Sequence, residues 1–451
     1  MNYKLLFVLP DSNNQSILAT RTDNGYQLPA YAEPINDNQE IPVPQLHDTP
    51  YVYNDFFKNL TGVSVYRKYV INTETIVAYV CEQTDETNIA ANGYTWISYN
   101  ELLTTQQDCE IQQIINSVQT NYSNAKNFTP YIAWLRGICT QKNIKIAGEI
   151  AQIKGAWLFR VASNIGDLYM KICGEGYANE QAFTRKLIEA NVPNLPEWVG
   201  YNTNLRVFLM QDMGGEDLSS LSSMDMTDLL NLFAALALTQ KASIPYVNSA
   251  DFCGYNYRID AIINELQDFP NYVYGMLSDT RHKISMGEKE KLAQNARSVA
   301  ELLKSVNNCI PDTIHNSDIG AYNVRHVNGK FIFYDWVWGG VSHPFFAMSR
   351  LLGSINKILP ADVPAKEVIV NAYLCEWAEY GSYEELKDIF EKIDRLYVFH
   401  VMFFVKYIRR RHEYLQYAGK ADAISAESRW LDKGYENLAL YLRRFINSWP
   451  V

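Results

Sequence analysis

The spacing of apolar residues changes character along this chain, and that change limits its architecture more than any single motif does. In the first third, short runs at 4–10, 26–34, 65–71, 75–83 and 94–102 are cut by Asn, Asp, Gly and Pro, which predicts strands joined by turns. From about residue 225 the apolar positions recur with helical spacing, over 225–241, 258–268, 287–306, 365–379, 383–393 and 394–417. Strands gathered in front and helices behind predict an α+β chain. Its 451 residues exceed what one core usually holds, so more than one folding unit is expected.

Between these regions the punctuation is local. Residues 103–128 are rich in Gln, Asn, Thr and Ser with little periodic signal, and the junction after the front domain is placed there. A helix start follows, with Thr129 as N-cap, Pro130 at the first helical position, and Tyr131, Trp134, Leu135, Ile138 and Cys139 along one face. Residues 156–163 and 167–173 read as a hairpin about Asn164-Ile165-Gly166. Next come a helix sharing Glu180, Phe183, Thr184 and Leu187 on one face, and an apolar strand at 205–210.

Composition removes several function classes. Hydrophobic residues make up 47% and charged residues 20%, an ordinary globular balance. Residues 1–120 hold five Lys or Arg against fourteen Asp or Glu, so −9 of the net −10 lies in the front third. No basic field of the kind that nucleic-acid binding needs is present. No apolar run approaches the roughly 20 residues of a membrane span, and 5–10 reads as a strand rather than a signal peptide. Seven scattered cysteines argue against a disulfide framework and for a reducing cytoplasm.

The informative stretch is 313–346. Asp318 is followed five residues later by Asn323, and beyond a strand pair turning at Asn328-Gly329 comes Asp335. Phosphoryl transfer needs a carboxylate to orient the attacking hydroxyl and accept its proton, and hard oxygens to hold Mg²⁺ against nucleotide phosphates. Asp318 suits the first task, and Asn323 and Asp335 the second. The D-x-x-x-x-N spacing alone is weak, because ordinary Asx turns produce it. It gains weight from Lys171 at the end of a hairpin strand and Glu180 on the next helix, the order of the ion pair that holds α- and β-phosphates.

From about residue 146 to 451 the chain resembles the aminoglycoside phosphotransferase family, which is also similar to the choline kinases, in a poorly characterised bacterial branch. The family's H-G-D-L-x-x-x-N corresponds to Asn316-Ser317-Asp318-Ile319 through Asn323, and its I-D-W to Tyr334-Asp335-Trp336. The hinge, often ending in E-D-L-G-G, corresponds to Phe208 through Gly215, and SHPFF at 342–346 adds to the likeness. The resemblance implies a bilobal protein-kinase-like fold, with an N-lobe over 146–213 and a helical C-lobe over 214–451. It implies ATP (or GTP) and Mg²⁺ as cofactors, adenine pairing with the backbone of Gln211 and Met213, and a small-molecule hydroxyl as acceptor. Two departures stand out: Asn316 replaces the family His that braces the loop, which predicts weakened bracing, and the nucleotide loop offers only Gly155.

The front domain, over 1–112 with 113–145 as linker and helix, more faintly resembles a Nudix fold. Tyr26 to Pro29 matches the strand before the Nudix box, and Asp55 to Val63 its end, but Phe56, Asn59 and Leu60 stand where metal-binding glutamates belong. Mg²⁺ sites need carboxylates, so a dead binding or docking module is expected, with a protein or ligand as its possible partner.

Other features read as structural. The run Lys406, Arg409, Arg410, Arg411, His412 is expected to be the solvated face of a helix, and His343 before Pro344 a turn residue. The seven histidines show no zinc spacing. A nucleotide-binding sensor without turnover is the competing class. A protein kinase is disfavoured, since no A-P-E segment follows Asp335.

Overall fold

The computed structural model describes residues 2–10, 15–22, 25–30, 35–36, 65–72, 76–83, 94–106, 108–121, 128–154, 158–174, 178–249, 253–266, 268–360, 364–417 and 421–448. The expected Nudix-box match at 55–63 and the loop glycine Gly155 lie outside them. The chain divides into two compact units, one of Met1–Gly174 with Trp198–Asp212, the other of Glu175–Glu197 with Met213–Val451. The first is sheet-rich and the second helix-rich, as the apolar spacing predicts.

The front of the first unit holds β1 (Asn2–Val8), β2 (Ser16–Thr22), β3 (Gly25–Gln27), β4 (Ile35–Asn36), β5 (Val65–Asn72), β6 (Ile76–Gln83) and β7 (Tyr94–Ser98). They form two sheets, β4-β1-β6-β5 with β1 and β6 parallel, and β3-β2-β7. The expected strand over 94–102 stops early, because the Ser98 hydroxyl accepts the Glu101 amide at 3.2 Å and caps helix α1 (Tyr99–Thr105). Helix α2 (Cys109–Asn121) occupies the stretch expected to be aperiodic. Its Ile111, Ile114, Ile115 and Val118 fall on one face and are buried with Leu6, Val8, Ile17 and Val80.

A second core in this unit lies under helix α3 (Thr129–Gln141), where Ile132, Leu135 and Cys139 meet an antiparallel sheet. Its strands are β8 (Ile146–Lys154), β9 (Leu158–Ser163), β10 (Gly166–Ile172), β11 (Trp198–Asn202) and β12 (Val207–Gln211), in the order β11-β12-β10-β9-β8. Side chains alternate along β10: Leu168, Met170 and Ile172 are buried, which leaves Lys171 half-buried on the opposite face.

The second unit opens with helix α4 (Ala178–Glu189), whose Phe183 and Leu187 enter the large core. Helix α5 (Met226–Ser243) starts at Asp225, which caps the Asp228 amide at 2.8 Å. The expected helix at 258–268 is α6 (Ile259–Glu265), and a further helix, α7 (Phe269–Leu277), follows it with Pro270 in its first turn. Helix α8 (Met286–Val306) begins with a capping box of Ser285 and Glu288. The strands β13 (Glu216–Asp217), β14 (Tyr255–Asn256), β15 (Thr313–Asn316), β16 (Val324–Val327), β17 (Lys330–Phe333) and β18 (Gly339–Ser342) make two small sheets, β13-β16-β17 and β14-β18-β15.

Five helices complete the unit: α9 (Pro344–Ser354), α10 (Ala365–Cys375), α11 (Tyr383–Arg395), α12 (Tyr397–Tyr417) and α13 (Ala421–Ser448). His343 is a structural residue, as expected: its Nδ1 accepts the Phe345 amide at 3.3 Å and caps α9. The basic run on α12 differs from its reading as a solvated face. Lys406 is buried and paired with Glu265, and Arg411 is buried with its guanidinium 5.4 Å from the Trp338 ring centroid. No helix among the described residues is long and apolar enough to cross a membrane.

Candidate active site

Strand β15 is buried along its whole length and delivers the chain to a loop at Ser317 and Asp318, after which a 3-10 turn, Ala321–Asn323, leads into β16. The loop is tied down by its own backbone, Ser317 N–H to Trp338 C=O at 3.3 Å and Ile319 N–H to Asn316 C=O at 3.0 Å. The hairpin of β16 and β17 turns at Asn328-Gly329 as the sequence predicts, and brings Asp335 back beside the loop. Asp335 has φ 58° and ψ 62°, the left-handed region that Asp tolerates better than most side chains.

Asn316 joins the two halves. Its side-chain oxygen accepts the Asp318 amide at 3.0 Å, and its Nδ2 donates to the Asp335 carbonyl at 3.1 Å. The weakened bracing expected from this residue is therefore not what the geometry gives: the amide, donor and acceptor at once, satisfies both segments. Its neighbour His315 is buried with neither ring nitrogen hydrogen-bonded. Burial, with a smaller push from Arg350, lowers that imidazole to about 3 and keeps it neutral.

The Asp318 carboxylate sits in a dense polar group. The Tyr322 hydroxyl donates to its Oδ1 at 2.5 Å, Arg350 Nη2 lies 3.6 Å from the same oxygen, and Asn323 Nδ2 donates to the Asp318 carbonyl at 2.9 Å. Arg350 Nη2 also donates to Tyr322 Oη at 3.0 Å. Burial raises the Asp318 carboxyl to about 6; the Tyr322 hydrogen bond and the Arg350 charge oppose that rise, and Asp335 adds to it. A base with this affinity loses and gains a proton close to neutral pH.

The segment following the hinge is fixed from the same hairpin. Gly214 and Gly215 are both left-handed, at φ 65° and 63°, and a Cβ on Gly215 would stand 2.0 Å from the His326 carbonyl oxygen. Arg325 Nη1 donates to the Gly214 and Gly215 carbonyls at 3.2 and 3.3 Å, and its Nε lies 3.3 Å from Asp217 Oδ1. The Tyr334 hydroxyl is 2.6 Å from Asp217 Oδ1. Close approach also explains Gly339, where a Cβ would lie 2.4 Å from the Phe183 ring.

Of the sequence-predicted residues, Asp318, Asn323 and Asp335 are brought together within the second unit. Glu180, buried on α4, and Met213 belong to that unit too, whereas Lys171 and Gln211 belong to the first, at the ends of β10 and β12. Tyr322 and Arg350 were not singled out from sequence. Tyr322 stands inside the D-x-x-x-x-N interval, while nothing in the pattern marks Arg350, which reaches the loop from α9.

Mg²⁺ is characteristically held by one or two carboxylates, here Asp335, and completes its shell with phosphates, water and at times a neutral protein oxygen. Asn323 fits, since its Nδ2 is committed to the Asp318 carbonyl and its Oδ1 is the atom left to act as a ligand. Asp335 adds a carboxylate on a backbone that Asn316 fixes.

No family model and no curated protein matches the chain. Solved structures similar to it are choline kinases and aminoglycoside or macrolide phosphotransferases. A choline/ethanolamine kinase family protein from Mesorhizobium loti is 15% identical over 67% of this chain and 92% of that chain, with a TM-score of 0.38. The choline kinase LicA from Streptococcus pneumoniae is 8% identical over 70% and 100%, TM-score 0.44, and the macrolide 2'-phosphotransferase MphH from Brachybacterium faecium 12% over 67% and 97%, TM-score 0.42.

Proposed function

We propose that this protein is a kinase-like phosphotransferase that moves the γ-phosphoryl group of ATP (or GTP) to a hydroxyl of a small molecule. The observation that carries the reading is the Asn316 brace, which sets the Asp318 amide and the Asp335 carbonyl on one side chain and so holds a near-neutral carboxylate beside two hard-oxygen ligands.

In this reading Asp318 orients the acceptor hydroxyl and takes its proton. The acceptor oxygen forms the new P–O bond, and the bond from the γ-phosphorus to its bridging oxygen breaks, with ADP leaving. Asn323 and Asp335 hold Mg²⁺, which when bound neutralises the phosphate charges. Lys171 clamps the phosphates, Glu180 orients Lys171, and the Gln211 and Met213 backbones pair with the base. The acidic front domain serves as a docking module, and the reducing cytoplasm is its compartment.

The experiment is ADP release over a panel of small-molecule alcohols, with wild type and Asp318→Ala compared. Turnover that survives unchanged in Asp318→Ala would sink the reading. One observation favours a second reading, a nucleotide sensor: the Tyr322 hydroxyl and the Arg350 charge already engage Asp318. Stabilisation by Mg·ATP in thermal melts, with no turnover of any alcohol, would support it.

A further inference from the structure

Arg350 is placed where an acceptor would meet the base. It sits on α9, donates from Nη2 to Tyr322 Oη at 3.0 Å, and approaches Asp318 Oδ1 to 3.6 Å. That is its hydrogen bond among the described residues, and its side chain keeps 24% of its surface exposed. Guanidinium carries five donors in a planar fork, so Nε and Nη1 are left for a partner arriving from solvent.

The surroundings are aromatic more than acidic. Tyr322 is 38% exposed, and the rings of Tyr397 and Tyr441 stand 5.2 Å apart, both close enough to Arg350 to act on its charge. Asp335 is assigned to metal, and burial raises the Asp394 carboxyl, which disfavours its charge. A site for a cationic acceptor surrounds the base with carboxylates; here the group beside the base is a permanently charged cation.

We propose that the acceptor carries an anionic group, a carboxylate or a phosphate, next to the hydroxyl that is phosphorylated, and that Arg350 binds it while Tyr322 holds the fork in place. The inference rests on the phosphotransferase reading and names its substrate class. It assigns Arg350 to specificity rather than to proton transfer.

The test uses the full chain, with Mg·ATP and acceptor triads differing in charge alone: glycerate, glycerol and 3-amino-1,2-propanediol, then glucose 6-phosphate, glucose and glucosamine. The anionic member of a triad should have the lowest KM. Arg350→Gln should raise that KM about 10- to 100-fold, the loss of a charge-assisted hydrogen-bond pair, and the KM of the neutral members far less; because Arg350 also adjoins Asp318, any fall in kcat should be common to the whole triad. Preference for the amine or the neutral alcohol overturns the proposal, as does a kcat loss common to all charges with no rise in KM selective for the anion, which marks Arg350 as a support for Asp318 only.

If Arg350→Gln does not fold, Arg350→Lys keeps the charge without the fork and should still weaken the anion alone. If wild type turns over no acceptor, binding of glycerate and of glucose 6-phosphate in the presence of Mg·AMP-PNP decides. Binding lost with Arg350 upholds the anion site although the phosphotransferase reading has failed; binding indifferent to Arg350 refutes it.

Discussion

Acid should destabilise the second unit through imidazoles sealed in its core. Burial holds His315 and His343 at about 3 and pulls His400 well below its ordinary value, with His315 and Arg350 adding to the effect on His400. In the unfolded chain each imidazole binds its proton near 6.5, so between about 6.5 and 3 the unfolded state carries more protons than the native one. The histidine contribution is therefore complete above that window and falls as pH drops through it, while Asp318, raised to about 6, acts in the opposite direction between about 6 and 4. Lowering the pH from about 7.5 to about 5.5 costs on the order of 1 kcal/mol for each of His315 and His343, and His400 acts in the same direction, against total stabilities of about 5–15.

His343→Asn isolates one of them, because asparagine is a good N-cap and can replace the acceptor that His343 Nδ1 offers α9. Amide exchange of residues 345–354, referred to intrinsic rates at each pH, should show the variant losing on the order of 1 kcal/mol less than wild type over that interval. Identical pH dependence in the two proteins would refute the argument, since it would mean that native His343 accepts a proton as readily as the unfolded chain does.

Four other substitutions probe the site. Asp318→Ala should reduce turnover by about 10²–10⁴ while leaving the Mg·ATP shift in thermal melts intact; loss of both together would assign Asp318 to nucleotide binding. Asn316→Ala leaves the Asp318 amide and the Asp335 carbonyl without their partner and should cost about 1–3 kcal/mol in urea unfolding, with turnover falling too. Gly215→Ala must move the His326 carbonyl, whereas Gly214→Ala meets nothing within 4 Å and bears only the left-handed penalty of about 1–2 kcal/mol. The first should lower the melting temperature more than the second; equal shifts would show that the segment relaxes around the added methyl.

What was legible in the sequence is what is local. The five-residue interval from Asp318 to Asn323 is one turn of loop, and Asp335 returns through a hairpin whose turn is written in Asn328-Gly329. Arg350 could not be found that way, because it meets Asp318 through the packing of α9 and no short-range rule links the two positions. Helix α2 is hidden for a different reason: its buried face is four residues wide and the rest is mostly Gln, Asn, Ser and Thr, so composition masks the periodicity. The burial of Lys406 and Arg411 is not legible in the helical pattern that places Phe403, Phe404 and Tyr407 inside, because it depends on distant partners: a carboxylate for one and a tryptophan face for the other make burial tolerable. Asn316 shows the converse, a single amide whose local sequence does not announce that it ties two segments together.

The chain leaves one unit and re-enters it between Gly174 and Trp198, and this has a consequence for synthesis and for anyone choosing expression boundaries. A nascent chain ending at Gly174 has made β8, β9 and β10, but β10 is an inner strand of the finished sheet and its far neighbour β12 is still unmade. Its open edge must wait for 207–211, after a helix that belongs to the other unit. A fragment cut at 174 therefore presents a template for self-association, and a boundary that respects the sheet falls no earlier than Asp212.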